Sequence, residues 1–289
     1  MNGSSGMWGP GRGDTMESEK ARALFGRLRE TLARNIGVDT ELSALGQVEA
    51  CQRRAQSELI PLAHHLRAMI LAMLSGHRSW RPIARRLGQL ELVFGQYKPA
   101  YLERIAPDQL ATEVEQLGCG NARVHAQMAA IQPNLETMQR IEREFGCMDA
   151  FVERLRPEAV AQLLGRPGST WKLKEVGPPL AMEYLKLVGI RSVKPEAHIL
   201  RICGPKRLAL LDGRETDEQA AGKMRRFAKA AGVEPVVLDN MLWLLGSRDY
   251  GAICGAHPRC DECELRSDCR FPRARTLVQQ STGPAALPT

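Results

Sequence analysis

The chain has 289 residues, 40 of them basic and 33 acidic, for a formal net charge of +7. Hydrophobic residues make up 44%, enough for a real core, which excludes a disordered, fibrous or collagen-like chain. The length suits about two domains. The longest strictly apolar run, Ala68 to Leu74, falls far short of the ~20 residues that span a bilayer. No charged-then-apolar segment opens the chain, so the expectation is a soluble intracellular protein with no membrane association. The mild basic excess permits an electrostatic footprint on nucleic acid without demanding one. Arginine outnumbers lysine 31 to 9, which leaves few side chains for amine chemistry.

Residues 1–16 are rich in Gly, Ser and Pro and read as a disordered leader; residues 276–289 read as a loose tail. Between them the apolar spacing is helical almost throughout. Ala23, Leu24, Leu28, Leu32 and Ile36 recur every three or four residues over 16–36. Residues 40–59 repeat the pattern behind a Thr40 cap, and Pro61 opens a helix so apolar that it belongs at the centre of a core. Further helices are predicted near 80–94, 107–117, 121–130, 133–144, 147–154, 156–164, 178–188, 195–210, 216–231 and 234–245, with Gly and Pro at the joins. No stretch alternates with period two, so the fold class is all-α.

Of eight cysteines, four fall within 16 residues, as Cys254-x5-Cys260-x2-Cys263-x5-Cys269. In a chain with no secretory signal such a cluster reads as a metal or iron–sulfur site before it reads as disulfides. Four thiolates satisfy either a tetrahedral zinc or a [4Fe–4S] cubane. Zinc ribbons place two Cys-x2-Cys knuckles on separate hairpins, whereas one knuckle between two five-residue gaps fits the compact cubane better. The surrounding His257, Arg259, Asp261, Glu262, Arg266 and Asp268 are too polar for four cysteines buried as plain hydrophobes. A cluster lets a short, loop-rich segment fold without a large core of its own. Arg259 and its neighbouring arginines either meet phosphates or are simply solvated around the thiolates.

The succession of motifs is more specific than any one of them. Leu71-Ala-Met-Leu-Ser-Gly-His77 is followed by Leu117-Gly-Cys-Gly-Asn-Ala-Arg123. Leu173-Lys-Glu-Val-Gly-Pro-Pro-Leu-Ala181 then joins two helical segments. Lys194-Pro-Glu-Ala-His-Ile-Leu-Arg-Ile-Cys203 follows, and the cysteine cluster closes the series about 50 residues later. From about residue 58 to 271 this order resembles the helix–hairpin–helix base-excision DNA glycosylase superfamily, in its endonuclease III and adenine-glycosylase branch with a C-terminal [4Fe–4S] loop. The resemblance implies a two-lobed fold: a helical barrel domain over 57–190 carrying the hairpin, and an iron–sulfur lobe built from 17–56 and 191–275. It implies a monomer that binds double-stranded DNA and flips a base into a pocket between the lobes.

The resemblance also implies roles. Gly177, Lys172 and Lys174 belong to the hairpin that holds a DNA phosphate through backbone N–H groups and a helix N-terminus. His77 stands where the family places a residue that fills the gap left by the flipped base. Asn121 and Arg123 bind backbone phosphate or hold a turn, and Arg259 approaches DNA beside the cluster. Trp80 and Trp171 stack on a base or sugar, or pack within a lobe. Glu196 occupies the position of the family's catalytic aspartate, with an arm longer by one methylene; it is a repositioned catalytic carboxylate or a helix N-terminal residue. Three departures follow. Glu175 replaces the hairpin's first glycine. Pro179 replaces the lysine that forms an imine in bifunctional members, so no lyase step runs through that position. The first cysteine gap is x5 where the branch has x6.

Three readings result: a monofunctional DNA N-glycosylase that lacks the Schiff-base lysine; a non-catalytic DNA-binding or damage-sensing [4Fe–4S] protein on the same fold; and an iron–sulfur protein that has left DNA altogether. The first is the expected function.

Overall fold

The structure is a computed structural model and describes residues 12–37, 46–76 and 78–272. The described residues form α-helices and short 3-10 turns, with no strand among them. None of these helices is long and apolar enough to cross a membrane. The expected tail and the Thr40 cap lie outside the described residues, as does residue 77.

The helices are α1 (Arg12–Asn35), α2 (Gln47–Ala55), α3 (Leu62–Ser75), α4 (Arg81–Ala84), α5 (Leu87–Val93), α6 (Pro99–Leu102), α7 (Pro107–Gln116) and α8 (Val124–Ala129). They continue as α9 (Ile131–Phe145), α10 (Met148–Glu153), α11 (Pro157–Gly165), α12 (Pro178–Leu187), α13 (Ala197–Cys203), α14 (Asp217–Ala231) and α15 (Pro235–Gly246). Several differ from the sequence expectation: the helix expected near 80–94 is split into α4 and α5, and α6 was not expected. The first helix begins at Arg12, inside the segment read as a leader, of which residues 1–11 lie outside the described residues. The helix expected over 195–210 runs only over Ala197–Cys203. Pro205 has no N–H and clashes with a helical predecessor, so Gly204 turns extended at ψ 174.

Two hydrophobic cores organise the chain. The first draws on residues between Leu66 and Ile190 and surrounds α3. Every residue from Ala68 to Leu74 is buried there, which is why that helix is apolar on all sides rather than on one stripe. The second combines Ala21, Phe25, Leu28 and Leu32 of α1 with residues between Val193 and Leu265, around the equally apolar α15. Each fully buried Leu or Ile contributes roughly 1.5–3 kcal/mol relative to an exposed one, so both cores are sizeable.

Helix α2 touches both lobes. Gln47 reaches Glu183 of α12 at 3.0 Å and accepts from Asn240 of α15 at 2.6 Å. Arg54 donates to Asp149 and to the Val188 carbonyl. Asp149 also receives His65 Nε2 at 3.0 Å, and His65 Nδ1 lies 2.6 Å from the Tyr184 hydroxyl. Burial keeps His65 neutral by lowering its pKa, against the pull of Asp149. Gly189 lets α2 approach: its φ is +78°, and an added Cβ would stand 2.4 Å from the Ala50 carbonyl carbon.

Candidate active site

The hairpin lies between α11 and α12. These helices meet so closely at Gly165 that an added Cβ would sit 2.4 Å from the Pro178 nitrogen. Leu173 N–H closes the turn onto Leu164 O at 2.9 Å. Buried Asn134 clamps the Lys174 peptide from both sides, accepting its N–H at 2.6 Å and donating to its carbonyl at 3.0 Å. The left-handed residue of the turn is Glu175, with φ +59°, a conformation that costs an L-residue about 1–2 kcal/mol. Arg123 holds it there, donating Nε and Nη2 to the two carboxylate oxygens at 2.7 Å each. That fork places the Glu175 carboxyl below its ordinary pKa, chiefly through the hydrogen bond from Arg123.

The other hairpin residues are placed as follows. Lys172 folds back over the turn, its ammonium donating to the Leu173 carbonyl and to Val176 O at 2.6 Å. The Lys174 side chain is exposed. Gly177 is the N-cap of α12 at φ −83° and ψ 170°, a conformation open to any residue. Among the described residues no acceptor meets its N–H. Pro178 and Pro179 supply no N–H to the helix start.

Gly177 and Pro179 form one wall of a cleft between the lobes, with a volume of about 580 Å³, within the ordinary range for small-molecule sites. Lys194, Glu196 and His198 face it from the other lobe, and Trp80 and Trp243 line it. Glu196 is the N-cap of α13, yet its side chain makes no capping bond. Its carboxylate instead lies 3.3 Å from Lys194 Nζ. His198 Nδ1 stands 2.8 Å from Arg201 Nη2. Because guanidinium only donates, that nitrogen accepts and the neutral ring carries its proton on Nε2. Burial lowers the His198 pKa, favouring this neutral form.

Beneath the cleft lies a charge network that sequence reading missed. Lys186 of α12 bonds Asp239 of α15 and lies 3.1 Å from Glu183. Asp239 also accepts Lys194 N–H at 2.7 Å. Burial alone would lower the Lys186 pKa, but the Asp239 and Glu183 carboxylates more than reverse it, so the ammonium stays charged. The available signal was a lysine and an aspartate inside otherwise apolar helices, where charges are almost never buried unpaired.

Several expected DNA contacts have protein partners. Asn121 donates to the Met73, Leu74 and Gly76 carbonyls at 3.2–3.4 Å and accepts Arg123 N–H at 2.8 Å, so it caps α3 and holds a turn. Trp171 packs edge-on against Phe145 and Phe151, under Arg140, within the first core. Arg259 pairs with Glu262 and donates to Gly251 O at 2.7 Å, bracing the cysteine segment. His77 lies outside the described residues.

Cys254, Cys260, Cys263 and Cys269 line one cavity, closed by Ile202 and Leu245 among other apolar side chains. Among the described residues no three His, Cys, Asp or Glu side chains group closely enough to hold a single metal ion. Arg207, 5% exposed, donates to Cys254 Sγ at 2.7 Å and to the Cys254 and Gly255 carbonyls at 2.9 and 2.7 Å. A buried guanidinium calls for an anionic partner, while burial pushes the Cys254 thiol up against the pull of Arg207. Helix α1 staples the segment through Arg27–Asp268 at 2.8 Å, Arg34–Glu264 and the Thr31 hydroxyl, which accepts Glu264 N–H at 2.9 Å.

No protein-family model matches this sequence, and no curated protein matches it. Among solved structures it is similar to the 8-oxoguanine DNA glycosylase of Thermotoga maritima, with 16% identity and a TM-score of 0.45 over 82% of this chain and 97% of that one.

Proposed function

We propose that this chain is a DNA N-glycosylase of the helix–hairpin–helix type: it binds duplex DNA across both lobes and releases a damaged or mispaired base turned out into the interlobe cleft. The observation that carries the reading is the cleft itself. One wall is the start of the hairpin's second helix, and the opposite wall presents the Glu196 carboxylate, which caps no helix and pairs with Lys194 at the cleft edge. The open Gly177 N–H and the exposed Lys174 are positioned to meet a phosphate without reading sequence. In the chemical step water attacks the sugar C1′ while Glu196 stabilises the cationic sugar, an electrostatic effect strengthened in a partly desolvated site. Position 179 is proline and supplies no amine.

The second reading, a non-catalytic DNA reader, is favoured by the occupation of Arg123 by Glu175 and by the two prolines at the helix start. Both readings require binding. A duplex with a single abasic-site analogue is expected to bind, with affinity falling as salt rises because phosphate contacts release counterions. No binding at low salt would overturn both.

The four cysteines suit a [4Fe–4S] cluster, which would hold the segment rigid. Thiolates around an apolar cavity beside a buried arginine fit a multi-iron cluster better than sulfurs converging within about 2.3 Å of one zinc. Protein purified without oxygen is expected to be brown, with about four iron and four sulfide per chain, and Cys263→Ser to lose most of both. One zinc per colourless chain would contradict the assignment.

A further inference from the structure

We propose that Glu175 is a built-in phosphate mimic: in the free chain its carboxylate fills the Arg123 guanidinium, and duplex DNA binds by exchanging one backbone phosphate for that carboxylate. The inference rests on the DNA-binding reading above.

The geometry is that of an anion site already occupied. Arg123 donates Nε and Nη2 to the two Glu175 oxygens at 2.7 Å each, through the planar fork that takes a phosphate as readily as a carboxylate. The arm is rooted independently of Glu175. Asn121 Oδ1 accepts the Arg123 N–H at 2.8 Å, and Asn121 Nδ2 is tied to three carbonyls around the end of α3. The Arg123 side chain is 65% exposed and that of Glu175 22% exposed, so an incoming anion reaches the fork from solvent.

Folding gives no account of the pair. An ion pair this exposed contributes little to stability. It stands on a left-handed residue, Glu175 at φ +59°, where glycine would carry no strain. An arrangement that is strained locally and weakly stabilising points to a use outside the fold. The surroundings supply that use. Glu175 is the one acidic residue between Lys172 and Ala181. Lys174 is exposed on the same turn, and the Gly177 N–H is open. Pro178 and Pro179 remove two N–H donors from the helix start. The hairpin is therefore short of phosphate donors, and a guanidinium released by Glu175 makes up for them.

The test measures binding of the full chain to a duplex with one abasic-site analogue over a range of salt. Glu175→Gln keeps the side-chain shape and removes the charge that competes for Arg123. It is expected to bind about two- to fivefold tighter than the parent, the equivalent of one exposed ion pair no longer broken. Its salt dependence should match the parent's, because the phosphate contact is present in both complexes. Glu175→Gly, which relieves the left-handed strain, is expected to tighten binding likewise. In Arg123→Gln/Glu175→Gln, whose net charge equals the parent's, the gain is lost and the slope of log affinity on log salt becomes shallower by about 0.9, the value of one phosphate contact. Glu175→Gln that binds no tighter, or a double variant with the parent's slope, would overturn the inference and leave the glycosylase reading standing. A Glu175→Gln slope steeper than the parent's by about 0.9 would do the same, since Arg123 would then stay masked in the parent complex. Absence of binding by both the parent and Glu175→Gln at low salt would overturn both.

Discussion

Asp239→Ala is expected to lower the unfolding free energy by about 3–5 kcal/mol, measured by urea denaturation of the otherwise intact chain. Asp239 is 2% exposed and bonds both the Lys186 ammonium and the Lys194 N–H. Its removal leaves a buried ammonium with Glu183 as its remaining ion-pair partner and a buried N–H without its acceptor. Leaving a partner uncompensated costs far more than the pair contributes when intact. Asp239→Asn keeps an oxygen for Lys194 N–H and loses the charge, so a smaller loss is expected. Because Lys194 hangs from Asp239, the alanine variant should also lose order at the cleft edge. A loss under about 1 kcal/mol, the level of an ordinary surface substitution, would show that the network does not hold the lobes together.

Glu196→Gln carries the second large effect, on rate instead of stability. The Glu196 side chain makes no helix-capping bond, and its backbone carbonyl accepts Leu200 N–H at 2.9 Å in either variant. Stability is therefore expected to change by no more than about 0.5 kcal/mol. Single-turnover base release should fall about 10²–10³-fold, with duplex binding little changed, because the amide cannot stabilise a cationic sugar as a carboxylate does. Equal loss of binding and release would place Glu196 in the fold or in DNA contact instead of in the chemical step.

Much of the architecture was legible because its causes are local. The apolar period found most helices, and the all-round apolarity of 62–75 marked the core helix. The break at Gly204–Pro205 was equally local and was overlooked, since the apolar pattern continues through Leu208 and Leu210 after the helix has ended. The cysteine spacing suggested a shared site; the four side chains line one cavity, but among the described residues no three metal-binding side chains group to hold a single ion.

What was not legible depends on long-range partners. Glu175 read only as the replacement of the hairpin's first glycine; 52 residues away Arg123 neutralises it and holds its left-handed backbone. Lys172 read as part of a phosphate-holding hairpin, but the turn that brings Val176 O beneath its ammonium exists only in the folded hairpin. The Lys186–Asp239 pair joins residues 53 apart on two helices whose packing no periodicity specifies. Glu196 read equally well as a helix N-terminal residue; it is the N-cap of α13, but its carboxylate pairs with Lys194 instead of capping the helix.

Single-turnover base release by protein purified without oxygen tests the glycosylase function most directly. The substrates are duplexes carrying uracil, thymine mismatches, oxidised pyrimidines, 8-oxoguanine pairs or alkylated purines, with abasic sites revealed by alkali. Release of at least one of these bases is expected, with near-complete loss in Glu196→Gln. Bound duplex with every base left in place, or release undiminished in Glu196→Gln, would contradict it.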